Sequence, residues 1–132
     1  MTWCFEDERS DFTDSILENL KIAPAIVPVI WHLEVANVLL QAKKNKRITE
    51  VQSANFIDVL STLPIITDPS TTSRAMHSVL TLAYQADLSV YDAAYLELAI
   101  REKIPLITLD KGLIKAAKKM HVLLSPKSKE EL

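Results

Sequence analysis

Apolar side chains recur along the chain at helical spacing, interrupted by short runs in which they stand side by side. From Asp7 to Leu20, the residues Ile16, Leu17 and Leu20 fall at core spacing and Pro24 lies beyond the end, which predicts a first helix. Ala25–Val29 is a short apolar run with Pro24 and Pro28 at its margins and predicts a strand. Trp31–Lys44 predicts a strongly apolar helix with a basic end, Lys43 and Lys44 being followed by Lys46 and Arg47. Thr49 is placed to cap a second helix with Val51, Phe56, Val59, Leu60 and Leu63 facing inward, and Pro64 stops it. Ile65 and Ile66 predict a very short strand, Thr71–Gln85 a helix, and Ser89–Glu102 another. Pro105–Thr108 predicts a strand, Lys111–Lys119 a helix and His121–Leu124 a last strand. Strands separated by helices predict parallel βαβ units, an α/β fold in which helices outweigh strands. Residues 1–126 read as one domain and Lys127–Leu132 as a charged tail.

Composition narrows the chemistry. With 132 residues and 48% hydrophobic side chains, the chain can bury one real core. No apolar run approaches the ~18 residues needed to span a bilayer. Glu6, Asp7 and Glu8 stand where a secretory signal needs basic and then apolar residues, and the lone Cys4 suits a reducing compartment, so the expected location is the cytoplasm. Gly112 is the only glycine, which excludes a P-loop or a dinucleotide fingerprint, since both need several glycines for close approach of backbone to phosphate. The net charge of −2 leaves no global basic field to attract nucleic acid, so local lysines or a metal must neutralise phosphates if RNA is the substrate.

Three acids sit among apolar neighbours: Glu34 in IWHLEVANVLL, Asp92 in LSVYDAAYLELAI, and Asp110 directly after PLITL. A buried carboxylate is costly unless it is paired, protonated or bound to a cation, and three together can share that cost by holding one metal. Asp110 at a strand end, Asp92 in the first turn of its helix and Glu34 in an early turn of the helix after the Ala25–Val29 strand can all face one rim of an open sheet. Asn37, three residues after Glu34, is placed to orient a carboxylate from behind. Oxygen ligation selects Mg²⁺ or Mn²⁺ over zinc, because Cys4, His32, His77 and His121 have no zinc-site spacing. The plainer readings stay open: Asp110 as a helix N-cap, Asp92 as half of a capping box with Ser89, Glu34 on an exposed stripe and Asn37 as a core amide. The cations Lys43, Lys46, Arg47 and Lys111, with Lys115, Lys118 and Lys119, are read either as complements to helix dipoles or as contacts to RNA phosphates.

The segment PVIWHLEVANVLLQAKKNKRIT resembles the second conserved segment of VapC-type PIN-domain ribonucleases, with Glu34 as its acid and Asn37 as the following asparagine. LSVYDAAYLELAIREKIPLITLDKGLIKAAKK resembles the third and fourth segments, with Asp92 and Asp110 as their acids, and MTWCFEDE resembles residues just after the family's first strand. The resemblance implies a three-layer α/β/α sandwich around a parallel sheet. It also implies a Mg²⁺-dependent endoribonuclease, dimeric, acting as the toxin of a toxin–antitoxin pair, with Glu34, Asp92 and Asp110 as metal ligands and catalytic residues and Thr108 behind Asp110. An antitoxin protein would block its groove. The family's first central strand, which ends in a metal-binding aspartate, has no counterpart after Met1, and Asp7 and Glu8 cannot replace that aspartate. The expectation is a start lying further upstream, and weak stability and activity without that strand. Two other classes compete: a PIN-like module that binds RNA or antitoxin without cutting, and a receiver-like phosphoryl acceptor, which lacks an aspartate after a central strand.

Overall fold

The computed structural model describes residues 24–108 and 110–122. The expected first helix, the second half of the expected His121–Leu124 strand and the charged tail fall outside the described residues, and His121 and Val122 are not in a strand.

Strand β1 (Ala25–Val27) leads into α1 (Ile30–Lys44) and α2 (Glu50–Ser61), and the chain returns as β2 (Ile65–Thr67). The two strands pair in parallel, Ala25 opposite Ile65 and Val27 opposite Thr67, as a helical crossover between them requires. Helix α1 buries Trp31, Val35, Leu39 and Ala42, one stripe at helical spacing. Thr49 caps α2 as expected. Its hydroxyl accepts from the Gln52 N–H at 3.1 Å, while the Gln52 side chain accepts from the Thr49 N–H at 2.9 Å.

The inward face of α2 differs from the expected one. Val51 and Val59 are exposed, whereas Ser53 is buried and Phe56, Leu60 and Leu63 pack on the core. Positions 53, 56, 60 and 63 follow the helical period, and Val51 and Val59 lie off that stripe, so geometry overrides their hydrophobicity. An apolar groove of about 390 Å³ runs between α1 and α2, lined by Trp31, Val35, Leu39, Leu60 and Leu63 among others. No carboxylate borders it.

The expected helix Thr71–Gln85 is divided: α3 (Thr71–Arg74), a π-helical turn (Ala75–Val79) and α4 (Leu80–Ala86). The widened turn lies where Arg74 and Ser78 both reach Glu97. Helix α5 (Val90–Glu102) begins at the Ser89 cap. Ala93 through Ala99 are buried without interruption. A helix buried on all sides needs partners on all sides. Tyr95, Leu96 and Ala99 join the main core with β1 and α1, while Ala93 and Ala94 meet Val79 and Ala83.

The stretch Pro105–Thr108 is not a strand. Only Leu106 makes a β-bridge, and among the described residues the sheet has two strands. Helix α6 (Lys111–Lys119) has the expected bounds and buries Leu113, Ile114, Ala116 and Ala117. No helix of the described residues is long and apolar enough to cross a membrane.

Candidate carboxylate site

Asp110 is held by its own helix. Its Oδ2 accepts from the Leu113 N–H at 2.8 Å, so it is the N-cap of α6. The buried Thr108 hydroxyl accepts from the Asp110 N–H at 3.0 Å, which fixes the backbone turn that presents the carboxylate. One Asp110 oxygen is therefore committed to the cap, and the other has no partner among the described residues.

Asp92 lies in the first turn of α5, where the Ser89 hydroxyl accepts from its N–H at 3.1 Å. Its carboxyl is half-buried. Burial pushes its pKa above the ordinary 3.8, and the negative charge of Asp110 pushes it further, while a hydrogen bond with Ser89 opposes both. Two acids eighteen positions apart in sequence are thus brought into each other's field, and no lysine or arginine among the described residues pairs with either.

Glu34 reaches the same helix by another route. The buried Tyr95 hydroxyl, one turn beyond Asp92 on α5, donates to Glu34 Oε1. Tyr95 was not singled out by sequence reasoning. The signal for it was its position three residues after Asp92, on one helix face. Asn37 is exposed and makes no hydrogen bond to Glu34, so it does not orient that carboxylate. Lys43 pairs with Glu50 at 3.5 Å. Lys46 and Lys111 are exposed, and Arg47 is exposed with an interaction of its own.

Among the described residues, no three Asp, Glu, His or Cys side chains are arranged as a complete metal-binding group. The two aspartates still fit a hard divalent cation. Their donors are oxygens, their mutual repulsion lacks a described counter-charge, and Mg²⁺ is commonly held by one or two carboxylates plus waters and substrate phosphates. They do not fit zinc, which prefers nitrogen and sulfur ligands.

A second group of acids was also passed over in the sequence. Asp68, Glu97 and Arg101 form a buried ion network: Arg101 Nη2 reaches Asp68 Oδ2 at 2.5 Å, and its Nε reaches Glu97 Oε2 at 3.0 Å. Arg74 reaches the same Glu97 oxygen at 3.4 Å. Burial pushes the Asp68 carboxyl up, but hydrogen bonds from Arg101 and Ser70 and the Arg101 charge prevail, leaving it below 3.8. Glu97 and Arg101 stand at i and i+4 in a helix, a pair visible in the sequence.

A comparison with curated proteins finds no match to this sequence. Residues 2–119 match the PIN domain family. PIN domains are generally nucleases and typically use divalent metal ions. The match spans most of the chain and agrees with a helix-rich α/β/α fold around a small parallel sheet; this protein belongs to the PIN domain family.

Proposed function

We propose that this protein is a Mg²⁺- or Mn²⁺-dependent endoribonuclease of the VapC type, the toxin of a toxin–antitoxin pair. The observation that carries this reading is the juxtaposition of Asp92 and Asp110, two carboxylates whose mutual repulsion no described cation relieves. Asp92 and Asp110 are the residues that would hold the cation. Glu34, on α1, is anchored by Tyr95, which follows Asp92 by three residues on α5. A hard divalent cation, when bound, supplies Lewis-acid charge and activates water for attack on phosphorus.

The chain's own residues do the positioning. Thr108 fixes the Asp110 backbone, and Ser89 sets the first turn of α5. Tyr95 keeps the Glu34 carboxylate turned toward α5. Lys111, adjoining Asp110, is placed to meet an RNA phosphate, and Lys46 and Arg47 are further candidates for such contacts. A cognate antitoxin protein as inhibitor, a homodimer as the working form and a cytoplasmic location complete the reading.

The test is cleavage of a mixed RNA with and without Mn²⁺ by wild type and by Asp92→Asn. Removing one metal-binding carboxylate should reduce Mn²⁺-dependent cleavage by at least 100-fold. Equal cleavage by both proteins would overturn the assignment of Asp92. A wild type that binds RNA and never cuts it would instead be a PIN-like module that engages RNA or antitoxin without catalysis.

A further inference from the structure

Helix α6 divides sharply. Leu113, Ile114, Ala116 and Ala117 are buried, and Lys111, Lys115, Lys118 and Lys119 are exposed. None of the four lysines has an ion-pair partner among the described residues, and the sequence KGLIKAAKK contains no acid to provide one at i±4. Complementing the helix dipole accounts for Lys118 and Lys119 in the last turn. It does not account for Lys115 in the middle, and at Lys111 a cation is disfavoured by the positive end of the dipole. The second basic cluster is different in kind, because Lys43 is paired with Glu50 and Arg47 is already engaged.

We propose that this lysine face is a track for the phosphate backbone of an RNA strand flanking the cleaved bond, an inference that rests on the ribonuclease reading above. Lys111, Lys115, Lys118 and Lys119 fall at i, i+4, i+7 and i+8, a single exposed strip about 12 Å long at 1.5 Å per residue. One nucleic-acid strand carries about three phosphates over that length. The row begins at Lys111, directly after Asp110, so a strand lying along it leads away from the carboxylates. The protein carries 17 acids against 15 lysines and arginines, so its attraction for a polyanion must be local, and this is the one helix face among those described that carries four unpaired cations in a row. An acidic protein surface is the competing occupant. Regularly spaced single charges with no apolar residue between them on the exposed face favour a phosphate backbone over a folded partner.

The experiment compares wild type, Lys115→Gln/Lys118→Gln/Lys119→Gln and Lys115→Arg/Lys118→Arg/Lys119→Arg. Lys111 is left untouched. Affinity for a fluorescent single-stranded RNA is measured at salt concentrations from 50 to 200 mM, and cleavage of a short oligonucleotide is followed separately. Each lost contact should reduce the slope of log affinity against log salt by about 0.7, so the glutamine variant should lose about 2 in slope. Across that salt range the wild type should then weaken about 20-fold more than the glutamine variant. The arginine variant should keep the wild-type slope, and circular dichroism should be the same for all three.

An unchanged slope in the glutamine variant would overturn the track while leaving the nuclease reading intact. Loss of binding to poly-glutamate without loss of RNA binding would overturn it in favour of an acidic protein partner. A wild type that binds RNA with the expected slope difference but cuts nothing would keep the track and remove the nuclease reading, and a wild type that binds no RNA would remove both.

Discussion

Asp68 and Glu97 differ from Asp92 and Asp110 in what answers their charge. The first pair is buried against Arg101 and Arg74, and Arg101 together with Ser70 holds the Asp68 carboxyl below its ordinary value against the effect of burial. The second pair has no described cation, and the Asp92 carboxyl is pushed the other way by burial and by Asp110. Both groups involve α5, so this is a difference between neighbouring places on one helix. Where carboxylates tie elements together, the chain provides its own guanidinium groups. Where they repel each other, none of the lysines or arginines among the described residues answers their charge, and a carboxylate perturbed in this way is a candidate for a functional role.

The largest expected effect lies in the compensated group. Arg101→Met should destabilise the fold by about 3–5 kcal/mol in urea denaturation, because it leaves Asp68 and Glu97 buried without their main counter-charge. A loss under about 1 kcal/mol would show that the network is not what binds β2, α3 and α5 together. The pH dependence has a definite sign. Since the folded Asp68 carboxyl lies below 3.8, its contribution is complete above that pH and disappears as pH falls through its lower folded value. Wild type should show this acid loss, and Arg101→Met should lack most of it.

Next in size is the response to a cation at the uncompensated group. Mn²⁺ at one hundred times its dissociation constant should stabilise wild type by about 2.7 kcal/mol, seen as a rise in melting temperature that EDTA reverses. Asp92→Asn should respond far less. The folded Asp92 carboxyl titrates above 3.8, so it opposes folding increasingly as pH rises from 3.8 through that higher value. Without metal at neutral pH, Asp92→Asn should therefore be at least as stable as wild type, the reverse of Arg101→Met. Identical Mn²⁺ shifts in wild type and Asp92→Asn would remove Asp92 from the site.

The smallest effect separates capping from ligation at Asp110. Asp110→Ala should cost about 1 kcal/mol of stability, and Asp110→Asn almost none, because asparagine caps a helix as well as aspartate does. Thermal melting of the two variants reads this directly. If both lose the same stability, the role of Asp110 in the fold exceeds its cap.

Local physics was legible in the sequence. Thr49 reads as a cap, and capping at Ser89 and Asp110 stands as the plainer alternative to metal binding, because these hydrogen bonds are made within three residues, and α6 has its expected bounds because its apolar and basic faces are unmixed. Long-range partners were not legible. Glu97 lies in a stretch as apolar as that around Asp92, yet it was passed over, and no local pattern links it to Arg74 or joins Asp68 to Arg101. Tyr95 and Glu34 meet across sixty-one positions. Leu106 is the only residue of the expected Pro105–Thr108 strand that bridges, because an apolar run does not disclose whether a neighbour lies within pairing distance.

The chain's one glycine stands two residues after Asp110, inside the first turn of α6. An engineer ranking substitutions by helix propensity would choose Gly112→Ala early, for a gain of up to about 1 kcal/mol. The added methyl would stand 3.4 Å from Asp110 Oδ2, the oxygen that caps α6, an ordinary packing contact that leaves the other carboxylate oxygen beyond its reach. A more rigid first turn can therefore be had at this position without covering the Asp110 oxygen that the cap leaves uncommitted.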